Sequence, residues 1–276
     1  MIKNITINSY TIGDGTDVTI LDARGFGSPR VDNAIYPNSG RHGSQLPNSY
    51  WRERNMIIEL GLRSSSVANY ATLRNNVLKA FGLPRTGNAL MQFSTLDGKD
   101  LQMYVQLRNE IDAPFEKGRI SSGIMRLELV SPDSYMNSQT LNESTVGLPV
   151  AGGTEIPTEI PLSLTSSGGV VTITNTGNGM YKPRIIIDGP IQNPTILNAT
   201  TGEQFTITGT FLSVDQIIID CDAETVTKNG VLNILEDFSG DFISLGLGVN
   251  QINFSASSYE ADALATIQWR LSYLSI

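Results

Sequence analysis

Cysteine is nearly absent from this 276-residue chain: Cys221 stands alone, so no intramolecular disulfide is possible. Histidine is as scarce, with His42 the only one. A zinc site of the usual kind and a Cys–His nucleophilic relay both need several such side chains converging, and both are excluded. No run of 18 apolar residues occurs, so no membrane insertion is expected. The opening MIKNITINSY alternates like a strand instead of running from basic to apolar, which predicts synthesis in a cytoplasm without a secretory leader. Basic residues are rare in one half. Residues 1–135 hold 15 Lys and Arg against 13 Asp and Glu, a net of +2; residues 136–276 hold 4 against 14, a net of −10. So acidic a second half repels nucleic acid, and the first half has no basic run long enough to grip it, so no specific nucleic-acid binding is expected.

What the chain does contain is β-pattern. Apolar residues make up 40% and charged residues 17%, a globular balance with a surface rich in Ser, Thr, Asn and Gly. The charge break falls at a polar stretch with three prolines and three glycines, residues 133–161, read as a linker between a domain over 1–135 and a domain over 136–276. In the first domain, strands are expected at 2–7, 17–21, 55–62, 89–93, 100–107 and 124–130, with Asp97-Gly98 turning a hairpin. One helix interrupts them over 66–82. Val67, Tyr70, Leu73, Val77, Leu78 and Phe81 fall on one stripe, serines precede it as caps, and Gly82 is placed to close it in a left-handed conformation. The second domain reads as β throughout, at 159–164, 169–174, 183–187, 203–208, 215–220, 224–227, 242–247, 249–254 and 264–274. Short strands with Gly and Asn turns predict an antiparallel sandwich or jelly roll. The fold class is thus mainly β with one principal helix.

Residues 23–54 fit neither pattern. They carry three prolines and mix arginines with Phe26, Tyr36, Tyr50 and Trp51. A connection this long is uncommon inside a compact domain and usually has a function. Arginine and aromatic side chains are enriched at protein interfaces, so the stretch is read as an interface arm, with Arg41, His42, Tyr50, Trp51, Arg52 and Arg54 as its candidate contacts.

Catalytic patterns are missing. There is no Gly-x-Ser-x-Gly, no phosphate-binding Gly-Lys-Ser/Thr loop and no His-Glu-x-x-His, and the loop NTGNG at 175–179 leads into no helix that would hold a phosphate. Asp188, Asp220, Asp222 and Glu224 supply enough carboxylates for a glycosidase pair or a calcium site, but they read as turn and edge acids without the dense oxygen set either chemistry needs. Tyr181, Tyr259, Trp269 and Tyr273 are candidate sugar platforms. Trp269 sits between Ile267 and Leu271 in an alternating run and reads instead as core. No enzyme, no metal and no cofactor are expected; host-wall glycan binding through the second domain is the alternative function.

The order of segments resembles a known family. NTGNGMYKPRIIIDGPIQNPTILNATTGEQFTI, then DQIIIDCDAETVTKNGVLN, FISLGLGVNQINF and IQWRLSYL stand in the order found in the distal tail (Dit) proteins of long-tailed, non-contractile phages. GFGSPRV, HGS, RERNMIIELGL, LDGKD and IMRLELVSPD add weaker matches in the first half. Cys221 and the run Trp51 to Arg54 depart from the family pattern. The resemblance implies a structural virion protein with no catalysis. Its first domain would be a belt that closes into a homohexameric ring with the help of the arm, and its second a galectin-like sandwich. The ring would sit at the virion tail tip, between the tail-tube protein and the tail-associated hub or lysin protein, and let DNA pass. Tape-measure and receptor-binding proteins are further partners that the family implies.

Overall fold

The computed structural model describes residues 1–33, 35–45, 49–82, 87–112, 121–148, 169–260 and 262–276. The chain divides into two compact units, Met1–Gln139 with Ser272–Ile276, and Thr140–Leu271. It is mainly β, and among the described residues there is one α-helix.

The first unit is built on an antiparallel sheet. Its strands run in the order Tyr10–Gly13, Ile2–Ile7, Ala89–Thr95, Asp100–Leu107, Ser122–Ser131, Arg54–Arg63 and Val18–Arg24. Alternation decides which side chains go inward. Met56, Ile58, Leu60 and Leu62 are buried along one strand, and Met125, Leu127 and Leu129 along its neighbour. A register shift between Ile2 and Asn4 lets Ile2 and Ile5, three residues apart, both reach the core. Each fully buried aliphatic side chain contributes about 1.5–3 kcal/mol.

The helix spans Val67–Phe81 and packs its Tyr70, Val77, Ala80 and Phe81 on this core. Ser66 caps it, its side chain accepting from the Asn69 amide at 3.2 Å. Two details of the expected stripe change. Val67 is exposed, since it lies in the first turn before the helix meets the sheet. Gly82 closes the helix at φ −68, not in the left-handed region. Its amide bonds the Leu78 carbonyl at 2.7 Å, and a Cβ there would stand 2.5 Å from the same oxygen. Glycine serves close approach at this end, not a positive φ.

The domain boundaries also shift. Met136–Ser138, expected in the linker, is a strand that pairs with Asp100–Leu107 and with Ser272–Tyr273. The last residues, Ser272–Ile276, therefore belong to the first unit. Asn142–Gly147 is likewise a strand, pairing with Leu264–Trp269. The remainder of the expected linker, 149–161, and the strand expected at 159–164 lie outside the described residues.

The second unit is a sandwich of two antiparallel sheets. One runs Asn142–Gly147, Leu264–Trp269, Arg184–Asp188, Gln216–Asp220, Thr225–Lys228 and Leu232–Asn233. The other runs Gly169–Asn175, Gly248–Ser255, Thr195–Asn198, Gln204–Ile207 and Phe238–Gly240. Ile185, Ile187, Ile217, Ile219, Ile196, Phe205, Ile252 and Phe254 fill a single core between them. The strand expected at 242–247 does not form. Leu245 pairs with Tyr181 in a single bridge, and the backbone groups on either side of it are taken by side chains: Ser244 N donates to Glu203 at 2.6 Å, Ser244 O accepts from Asn198 at 2.7 Å, and Gly246 N donates to Asn250 at 2.9 Å. With those groups satisfied, a ladder has nothing to gain. The expected strand 264–274 breaks after Trp269, because its last residues cross to the first unit.

Candidate assembly surface

The stretch expected to be an irregular arm is a hairpin. Val31–Asn33 pairs with Ser49–Trp51, and further out Tyr36–Pro37 pairs with Ser44–Gln45. The tip turns through Gly40 and Gly43, at φ 73 and 99, values that L side chains rarely adopt. Every described residue of these four strands is exposed.

Its exposed side chains are of two kinds. Val31 and Trp51 face each other across the ladder, and Ile35, Tyr36 and Tyr50 add further apolar surface. Tyr36 and Tyr50 are 59% and 65% exposed. Among them stand Arg30, Arg41, His42 and Arg52. Arg52 forms an ion pair with Asp32, and its amide bonds the Arg30 carbonyl at 2.8 Å. Tyrosine, tryptophan and arginine are the residue types enriched at protein interfaces.

Arg54 departs from the other five candidates. Its side chain is buried, and its guanidinium donates to four carbonyls: Gly25 at 2.9 Å, Gly27, Ser134 at 2.7 Å and Leu274 at 2.9 Å. Burial pulls its pKa down to about 10, which leaves it charged at neutral pH. It cannot offer itself to another molecule. It fastens together the base of the arm, the chain leaving the main sheet, and the C-terminal tail. Two neighbours complete that base. Phe26 is buried against Phe93, ring centroids 5.2 Å apart, and Gly25, at φ 90, lies so close to the Asn55 carbonyl that a Cβ would stand 2.1 Å from it. The arm is thus firmly anchored while its outer part is bare.

Three of the four carboxylates weighed as catalytic or calcium-binding, Asp188, Asp220 and Glu224, make structural contacts. Asp220 accepts from the Asp222 and Ala223 amides at 3.1 and 2.9 Å, which closes a turn. Glu224 pairs with Lys182 at 3.2 Å, and Asp188 accepts from Gln216 at 2.9 Å. Among the described residues no group of three or more His, Cys, Asp or Glu gathers as a metal site would require. Cys221 is buried, which pushes its thiol up to about 12, far from a reactive thiolate. Of the sugar platforms, Trp269 is buried in the sandwich core, and Tyr181, Tyr259 and Tyr273 are half-buried.

The loop NTGNG is held by a buried side chain. Asn175 donates to the Gly179 and Leu245 carbonyls at 2.9 and 3.3 Å and accepts from the Gly177 amide at 3.0 Å. It leads into Arg184–Asp188, flanked on both sides in its sheet, so the segment is a strand entry and not a phosphate cradle.

Comparison with solved structures places this architecture, a sheet unit with one helix followed by a sandwich, among phage tail proteins in fold. The chain superposes on SPP1 Dit, described as a paradigm of the hub adsorption apparatus in phages infecting Gram-positive bacteria, with a TM-score of 0.69 over 98% of each chain at 12% identity. It also resembles chains of the phage P2 baseplate in its activated conformation. The form with Ca gives a TM-score of 0.51, covering 97% of this chain and 98% of that one, and the form with Sr gives 0.50, covering 97% of each, both at 13% identity. Residues 176–273 match the family model of the siphovirus-type tail component, C-terminal domain. No curated protein matches the chain. The resemblance to distal tail proteins read from the sequence is borne out.

Proposed function

We propose that the chain is a structural subunit of a siphophage tail tip, and that copies of it close into a homohexameric ring. The ring joins the tail-tube protein to the tail-associated hub protein and lets DNA pass, without catalysis. The projecting hairpin carries this reading. It is anchored at its base by Arg54, Gly25 and Phe26, and exposed beyond it at Tyr36, Tyr50 and Trp51. A monomer has no use for a rigidly mounted aromatic arm, whereas a closed ring needs one patch that reaches a different patch on the next copy. The distal tail fold and the tail-component match of the second unit support the same reading. Size-exclusion chromatography with light scattering tests it. A mass near six protomers is expected, and a protein that stays monomeric at the highest concentration reached refutes the ring.

A further inference from the structure

The segment Ser272–Ile276 follows the whole sandwich in sequence, yet it is built into the first unit. Ser272–Tyr273 pairs antiparallel with Met136–Ser138, Tyr273 opposite Met136 and Ser272 opposite Asn137. Ser272 is buried, and its hydroxyl donates to Asn137 Oδ1 at 2.6 Å. Tyr273 and Ile276 pack on the core of the first unit, and the Lys99 ammonium stands 5.5 Å from the Tyr273 ring centroid. Two bonds then run from the segment to the root of the arm. The Leu274 carbonyl accepts from Arg54 at 2.9 Å, and Ile276 N donates to the Phe26 carbonyl at 3.3 Å.

Arg54 makes this return matter for the arm. Its Nη1 grips the arm's entry through the Gly25 and Gly27 carbonyls, and its Nη2 grips Ser134 and Leu274. A guanidinium is planar and rigid, so the acceptors on one side aim the donors on the other. Ser134 also donates its hydroxyl to the Arg52 carbonyl at 3.3 Å, on the arm's returning side. Arg54 Nε already lacks a partner among the described residues, so without Leu274 this buried fork loses a further bond. During synthesis residues 1–139 and the sandwich precede this segment, and domains fold as units in chain order. The mount of the arm therefore stays incomplete until the chain has come back from the sandwich. We infer that Ser272–Ile276 is a strap that sets the arm, and that a subunit becomes competent to join others only once the strap is seated. This rests on the arm as the contact between copies, and it adds a control: a chain that stops short of the strap, or has not yet seated it, is kept out of the assembly.

Ser272→Asp combined with Ile276→Asp, in the full-length chain, tests it by unseating the strap. The first sets a carboxylate against the Asn137 side-chain oxygen, and the second sets a charge on the core. Hydrogen exchange read by mass spectrometry and light scattering are run on the same samples. Amides at 25–33 and 52–56 should exchange at least about tenfold faster, while residues 125–129 and the sandwich exchange as in the parent. The concentration needed for assembly should rise at least about tenfold. In an Arg54→Met background the same pair of changes should alter exchange at the root by less than about threefold, because strap and guanidinium share one fastening. A full tenfold effect in that background shows that the strap does not act through Arg54. If the root exchanges as in the parent, or if 125–129 loosens with it, there is no separate strap. If the root loosens and oligomers persist, the strap does not govern assembly. A parent that stays monomeric removes the ring reading and the control of assembly with it, while the exchange result still decides whether the strap sets the arm.

Discussion

Arg54 shows how one residue governs the base of the arm. Its four carbonyl acceptors come from several parts of the chain, the farthest of them, Leu274, 220 positions from Arg54 itself. Removing the guanidinium leaves those carbonyls buried without a donor, and such groups are costly. Arg54→Met should destabilise the first unit by about 3 kcal/mol, read as a lower urea midpoint with an unchanged slope. Arg54→Lys should cost somewhat less, because an ammonium keeps the charge but lacks the planar fork that reaches several acceptors at once. If both variants match the parent, the carbonyls find other donors and the fastening is not needed. The sequence contained the clue to this residue. Arg54 has the same parity as Met56, Ile58 and Leu60, which places it on the inward face of its strand, yet its charge and its neighbours Trp51 and Arg52 point to the surface. Composition was followed where periodicity was the better guide.

At the level of elements, the backbone at the root of the arm is as constrained as the side chains. Gly25 sits at φ 90 with no room for a Cβ, whereas Gly27, two residues on, has open space around its Cβ position and no positive φ. Gly25→Ala should therefore cost at least about 2 kcal/mol, while Gly27→Ala should fall within about 0.5 kcal/mol of the parent, both by thermal or urea unfolding. Equal effects at the two positions would show that the root is not strained. Elements whose apolar residues alternate against a polar background were legible: Ile2–Ile7, Asp100–Leu107 and Gly248–Ser255 lie within a residue or so of expectation. Short strands such as Thr210–Phe211, Phe238–Gly240 and Ile191–Gln192, the last of them the middle strand of a small three-stranded sheet, were not, since two or three residues carry no period. The arm was visible as an anomaly but not as a hairpin, because its strands bury neither face and so show no alternation.

For the molecule as a whole, the two units keep separate cores, and the arm contributes to neither beyond its anchored root. Tyr36 to Tyr50 contains no described residue of either core. The proposed assembly thus rests on residues outside both cores, and deletion tests whether folding and assembly separate. A variant lacking residues 37–50 loses the tip with Arg41, His42 and Tyr50 but keeps Gly25, Phe26 and Arg54. It should unfold at a temperature within a few degrees of the parent, since a surface segment outside both cores contributes little to stability. On the proposed reading its ring should be lost, because that reading has one copy reach the next through the arm. Light scattering and calorimetry on the same preparation give both readouts. A stable monomer is the expected outcome. A variant that still forms rings would place the interface on the sheets of the first unit, and one that fails to fold would show the hairpin to be part of the architecture instead of an addition to it.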